Sequence, residues 1–378
     1  MNIAIVCYPT FGGSGVLATE LGKALSYHGH NVHFITYQQP VRLGVFHANV
    51  FYHEVRVPTY PLFDFPPYET ALSSAMVDVV LNHDIDLLHV HYAIPHASAG
   101  YMAKQILKTE GRNVPLITTL HGTDITLVGK DKSYGPVVTF SMEESDALTA
   151  VSDNLKEETY RNFNITKEIN VIHNFVDVER FNKKPLQAFK QIVAPNNERV
   201  IVHASNFRKI KRVQDVVKIF FEINKQIPSK LLLIGDGPER AMVEDLVRGD
   251  STNCHEVKFL GKQEQIEDIF SISDLFLLPS EYESFGLAAL EAMAARTPVV
   301  STNAGGLPEI IREGYCGYMS NVGDVKGMSE QAIMILKNDD VLETFKANSL
   351  EQAKRFDISS IIPLYEALYQ RVLELTLI

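Results

Sequence analysis

Short apolar runs alternate with stretches of helical period along both halves of the chain. Asn2–Tyr8 (NIAIVCY) reads as a strand, Val16–Ser26 as a helix and Val32–Tyr37 (VHFITY) as the next strand. Further buried strands are expected at Leu87–Val90, Leu116–Leu120 and Ala147–Val151. The alternation restarts near Arg199. Strands are expected there at Val200–Ala204, Lys230–Ile234, Val257–Leu260, Leu275–Leu278 and Pro298–Ser301. Val213–Lys225, Glu239–Arg248 and Ile266–Ile272 carry the helical period between them. Strands separated by helices build parallel, doubly wound sheets. The Pro- and Tyr-rich segment Val57–Tyr68 keeps no period and reads as a loop near a cleft. The expected fold is α/β: two Rossmann-like doubly wound domains, residues 1–173 and 174–360, facing across a cleft. Asn174–Lys184 would be the hinge, and a helix at about 361–378 would pack back on the first domain.

Composition narrows the class. A chain of 378 residues, 46% hydrophobic and 21% charged, has the proportions of a globular protein with material for two cores. A net charge of −11 argues against a nucleic-acid or acidic-membrane surface, so an anionic ligand needs a local cluster of donors. Cys7, Cys254 and Cys316 are too few and too scattered for a disulfide framework or a zinc site. The start, MNIAIVCYP, lacks a basic leader pattern, and no apolar run is long enough to span a bilayer. The expected location is cytoplasmic.

Ser280–Glu291 (SEYESFGLAALE) is the richest stretch chemically. Glu283 and Glu291 flank the start of an expected helix, Phe285–Arg296, with Ser284 as its N-cap and Gly286 leaving the backbone open. A helix start suits a diphosphate, and an acid on either side can hold hydroxyls of a phosphate-linked ligand. Thr10–Gly15 (TFGGSG) joins the first strand to the first helix, with Gly13 and Gly15 allowing close backbone approach and Ser14 adding a hydroxyl. It matches neither a dinucleotide fingerprint nor a P-loop. His121 ends a strand within LHGTD, near Thr119 and Asp124. His89 and His91 share one strand face, but no third ligand stands at a readable spacing, so no metal is expected. Ser205–Val213 (SNFRKIKRV) gathers Arg208, Lys209, Lys211 and Arg212 at a strand end, a cationic set that suits phosphate, although two of the four would serve equally as a solvated face.

Together the GGSG turn, the Lys211 turn, GDGP, the Glu283/Glu291 pair around FGL, and NAGGLPE (Asn303–Glu309) resemble the retaining family-four nucleotide-sugar glycosyltransferases of the GT-B fold. CYPTFGGSGVLATELG, HYAIPHA, TTLHGTDIT and SNFRKIKRVQDV are closer still to the branch of that family that glycosylates L-malate at the start of bacillithiol synthesis. The resemblance implies a UDP-N-acetylglucosamine donor, an L-malate acceptor attacking through its 2-hydroxyl, retention at the anomeric carbon, and no cofactor or metal. It implies that Glu283 contacts the donor sugar, Glu291 the ribose, and backbone groups around Phe285, Gly286 and Leu287 the diphosphate or sugar. Lys211 matches the family's diphosphate lysine. Asn206 replaces the usual arginine five residues before it, which leaves Arg208 as the substitute. His121 would lie at the reaction centre with Glu283 and Lys211. Ser14, Tyr92, Thr119 and His121 would serve the acceptor. A same-fold transferase with a glycan or phosphoinositol acceptor, or a UDP-sugar epimerase, stays open, as does assembly into a homo-oligomer.

Overall fold

The computed structural model describes residues 1–10, 12–44, 47–58, 60–61 and 63–376. The chain divides into two compact units, Met1–Asn174 with Ile358–Ile378, and Phe175–Asp357.

The first unit holds seven parallel strands: β1 (Asn2–Val6), β2 (Asn31–Thr36), β3 (Val50–Glu54), β4 (Leu87–His91), β5 (Leu116–Leu120), β6 (Ala147–Ala150) and β7 (Ile169–Val171). Their spatial order is β3-β2-β1-β4-β5-β6-β7. The order reverses between β1 and β4, and ligands of such sheets bind beyond the carboxyl ends at that point. β4 (LLHVH) and β5 (LITTL) are buried along their whole length, which is why neither shows the apolar–polar alternation of a half-exposed strand. On one face the helices Tyr68–His83 and Ser98–Thr109 bury Met76, Val79, Val80, Ala103 and Leu107. The helix Ile358–Thr376 belongs to this same unit, and its Tyr369 is fully buried. Within the irregular segment 57–67, Thr59 and Leu62 lie outside the described residues, as do Leu377 and Ile378 of the expected terminal helix.

The second unit holds six parallel strands: β8 (Arg199–Ala204), β9 (Ser229–Ile234), β10 (Val257–Gly261), β11 (Leu275–Leu278), β12 (Val299–Thr302) and β13 (Gly317–Ser320). Their order is β10-β9-β8-β11-β12-β13, with the reversal between β8 and β11. The helix Val213–Asn224 shows how the sequence drives the layer. Val213, Val216, Val217, Ile219, Phe220 and Ile223 recur at helical spacing and are all fully buried. Each such side chain contributes about 1.5–3 kcal/mol by leaving water. Among the described residues, no helix is long and apolar enough to cross a membrane.

Candidate functional site

At the carboxyl edge of the first sheet, three turns carry the first group of predicted side chains. The turn after β1 leads to Gly12, which caps the helix Gly13–Tyr27 without a side-chain bond. The first turn of that helix has no acid, so its N–H groups and dipole favour an anion. Gly13 is exposed at this start, while Gly15 is buried. A Cβ on Gly15 would lie 2.3 Å from the carbonyl oxygen of Tyr8, so Gly15 is required for helix–turn packing. Phe11 of the TFGGSG turn lies outside the described residues.

Beyond β4, Tyr92 adopts φ 85° and ψ 136°, a conformation that costs a residue with a side chain about 1–3 kcal/mol. Its hydroxyl meets Ser14 Oγ at 2.6 Å, joining the turn after β4 to the helix start. Its ring lies 5.1 Å from that of His121, which follows β5. Asp124 fixes this arrangement from behind. It is 2% exposed; one carboxylate oxygen accepts from the Gly122 N–H at 2.9 Å and the other from the Ala93 N–H at 3.0 Å. Burial raises its pKa, and the N–H bonds oppose that rise. His91 Nδ1 lies 2.8 Å from His121 Nε2.

Thr119 requires a correction. It is fully buried, and its hydroxyl is held by His89 Nε2 at 2.7 Å and Thr149 Oγ1 at 2.6 Å. It lies behind the turn residues as a support: it shares the sheet face of His89 and His91 through its pairing with His91, and its hydroxyl is taken up there by buried neighbours. The other ring nitrogen of His89 meets the hydroxyl of Tyr369 at 2.7 Å. Sequence reasoning missed Tyr369, which arrives 280 positions later on the terminal helix and has no local signal. It also missed His96, whose Nδ1 bonds the carbonyl oxygen of His91.

These imidazoles are held neutral. Burial pushes His89 and His121 down to about 3, and His96 and His33 down to about 4. In the second unit burial takes His203 to about 4. An unfolded histidine binds its proton near 6.5, so between that value and the folded pKa the unfolded chain holds more protons. The associated stability is complete above about pH 6.5 and falls as pH drops towards 3–4. Each such group steepens the loss by about 1.4 kcal/mol per pH unit. With four of these five histidines in the first unit, that unit should open first on acidification. Hydrogen exchange resolved by segment at pH 7 and pH 5 should show protection lost first in β4 and β5. Equal protection at both values would contradict the assignment.

The second group of side chains sits on the second sheet. Lys211 ends the single turn Lys209–Lys211 after β8, and Glu283 follows β11. Lys211 Nζ lies 2.7 Å from Glu283 Oε1, and Ser280 Oγ donates to the same oxygen at 2.7 Å. The Gly306 N–H of the NAGGLPE segment donates to the Glu283 carbonyl at 2.8 Å, fixing its backbone. Glu283 Oε2 has no hydrogen bond among the described residues and is the oxygen available to a ligand hydroxyl. The cationic cluster divides. Arg212 is occupied by Asp215 at 2.6 Å and Glu281 at 3.1 Å. Arg208, Lys209 and Asn206 are exposed.

The helix between the two acids starts later than its sequence implies. It spans Leu287–Ala294, and Gly286 is its N-cap at φ 97°, so Ser284 is not the cap. The Gly286 φ of 97° strains any residue with a side chain, and a Cβ there would also press on Leu307 Cδ2 at 2.6 Å, so Leu307 would have to shift. Phe285 is 2% exposed, its ring edge-on to Phe356 at 5.7 Å, so only its backbone can meet a ligand. Leu287 is half-buried at the helix start, and Glu291 is 8% exposed one turn on.

Comparison with known proteins gives a consistent picture. Residues 11–180 match the family described as Glycosyltransferase Family 4, and residues 186–352 match Glycosyl transferases group 1. An N-acetyl-alpha-D-glucosaminyl L-malate synthase of Bacillus anthracis is 44% identical, over 99% of this chain and 97% of its own. The phosphatidylinositol N-acetylglucosaminyltransferase GPI3 subunit of Saccharomyces cerevisiae is 24% identical over 89% of this chain and 76% of its own. Among solved structures, sucrose-phosphate synthase from Thermosynechococcus elongatus superposes with a TM-score of 0.80 at 21% identity, covering 98% of this chain and 99% of that one. Anabaena HepE in complex with UDP and glucose gives a TM-score of 0.80 at 20% identity, covering 97% and 99%. At these identities the structural likeness speaks for the fold.

Proposed function

The chain belongs to glycosyltransferase family 4, and from that premise we propose that it moves N-acetylglucosamine from UDP-N-acetylglucosamine to the 2-hydroxyl of L-malate. The anomeric configuration is retained, and the reaction is the first step of bacillithiol synthesis. The observation that carries sugar and acceptor is the 44% identity, over 99% of the chain, to a relative whose name states that product.

The geometry supports a division of labour. Glu283, held through Oε1 by Lys211 and Ser280, offers Oε2 to the donor sugar's hydroxyls. Lys211 and the exposed Arg208 meet the diphosphate together with the backbone at Gly286 and Leu287, while Glu291 takes the ribose. Ser14 and Tyr92, with the start of the helix Gly13–Tyr27, receive malate, and His121 stands at the sugar. Asp124, the acid beside His121, already accepts backbone N–H groups at both oxygens and is a poor nucleophile. With Glu283 assigned to the sugar's hydroxyls, the retention that the family implies is read as attack from the face the nucleotide leaves, and a β-phosphate oxygen takes the proton of the malate hydroxyl. Cations and helix terminus stabilise the charge that grows on the departing UDP, which is the task a divalent metal performs elsewhere.

UDP release from UDP-N-acetylglucosamine should require L-malate within a panel of hydroxy acids, and should persist in EDTA. Equal release with every acid tested would remove malate from the proposal. Activity lost in EDTA and restored only by a divalent ion would remove the metal-free mechanism.

A further inference from the structure

His91 is the residue that the proposed reaction leaves without a task. It is 2% exposed at the end of β4, and its ring stacks on that of His121 at 5.0 Å. Its Nδ1 is bonded to His121 Nε2, while its Nε2 is buried with no hydrogen-bond partner among the described residues. Only one of the two bonded nitrogens can carry the proton. If it sat on His121 Nε2, His91 would need its own proton on Nε2, leaving a buried N–H with nothing to accept it. If it sits on His91 Nδ1, the buried Nε2 is a bare lone pair. Orphaned buried N–H groups are rarer in folded proteins than under-used acceptors. Charging the pair to escape the choice is opposed by burial, which holds both rings well below their ordinary pKa.

Two neighbours hold His91 in that orientation. His96 donates from Nδ1 to the carbonyl oxygen of His91, fixing the backbone from which the ring projects. His89 packs against the ring face at 4.5 Å and is itself tied at both nitrogens, to Tyr369 and Thr119. We infer that His91 is a positioning residue that donates from Nδ1 to His121 Nε2, so that His121 keeps its own proton on Nδ1 and presents a directed N–H donor to substrate. His121 Nδ1 has no hydrogen bond among the described residues, so that donor is available. A neutral imidazole is a suitable donor to a sugar oxygen, and the tautomer decides whether the ring offers a hydrogen or a lone pair there. This role rests on His121 standing at the donor sugar, as proposed above.

Long-range ¹H–¹⁵N correlation spectra of ¹⁵N-histidine-labelled protein, assigned with His91→Asn and His121→Gln, read the tautomer without turnover. The expected wild-type result is a protonated Nδ1 and an unprotonated Nε2 on His121. A proton on Nε2 would overturn the inference whatever the acceptor proves to be. In kinetics, His91→Leu should lower kcat about tenfold, the size of one lost neutral hydrogen bond, with UDP affinity unchanged. His91→Asn keeps an N–H donor near the Nδ1 position and should restore most of the rate. Equal loss in both variants, with melting temperatures matching the wild type, would make His91 a packing residue only. Mass analysis of the wild-type product tests the substrate reading separately, so failure of one is not failure of the other.

Discussion

Lys211→Ala should weaken UDP binding by about 1.5–3 kcal/mol, the worth of a charge-assisted contact, and should slow transfer as well. Two effects combine. In the proposed site the ammonium would meet diphosphate in the bound donor and continue to meet it as charge grows on leaving UDP, so both affinity and turnover should fall. The same ammonium is the cation beside Glu283, whose side chain is only 12% exposed. Without it, Glu283 Oε1 keeps Ser280 alone, and the carboxylate loses the pairing that aims Oε2. Lys211→Arg should recover binding better than rate, because a planar fork cannot reproduce a point charge at 2.7 Å from one carboxylate oxygen. Calorimetry with UDP checks the first claim, and unchanged affinity in the alanine variant would remove Lys211 from the donor site.

Glu283→Gln should act on turnover, and Glu291→Gln on nucleotide affinity. Glu283 follows β11 at the turn where the donor sugar would lie, and its free oxygen can bind a sugar hydroxyl more strongly as the anomeric centre becomes positive. Contacts that tighten only in the transition state raise kcat. Glu291 lies one turn into the helix Leu287–Ala294 and would grip a ribose bound alike before and during the reaction. Losing such a contact raises KM and leaves kcat in place. The glutamine at 283 also loses the charge that pairs with Lys211, so its kcat should fall by more than the tenfold of one neutral hydrogen bond, about 1.4 kcal/mol. Saturation kinetics and UDP titration of both variants decide the matter. Normal turnover in Glu283→Gln, or normal UDP affinity in Glu291→Gln, would reverse these roles.

The strands that position the site were legible where burial on both faces leaves a mostly apolar run, unbroken in β11 (LFLL) and interrupted only by His or Thr in β4 (LLHVH) and β5 (LITTL). β3 (VFYHE) went unread because an edge strand keeps polar residues and two exposed aromatics. β13 (GYMS) went unread because this edge strand is only partly buried and begins and ends on Gly and Ser, so no apolar run marks it. The helix after Glu283 was legible as a helix, but its start was not. Ser284 has the better capping chemistry, and the chain instead turns at Gly286, at φ 97° and packed against Leu307. The packing against it comes from 21 positions away. The same holds for side-chain pairing. Glu283 and Lys211 could be picked out singly from their turns, but the bond between them spans 72 positions and joins two strand ends adjacent only in the folded sheet. Thr119 reads as an edge residue by its place in TTLHGTD, and only the fold shows its hydroxyl turned inward to His89. Residue types and strand ends are local properties, whereas the partner of each polar atom is a property of topology.

The central claim is transfer of N-acetylglucosamine to malate with retention, and one measurement meets it directly. Purified protein is incubated with UDP-N-acetylglucosamine and L-malate, and the isolated product is examined by proton NMR and mass. The account predicts one N-acetylglucosaminyl-malate, joined through the malate 2-oxygen, with the small anomeric coupling of an α-linkage. A β-linked product, or UDP released at the same rate without malate, would contradict it.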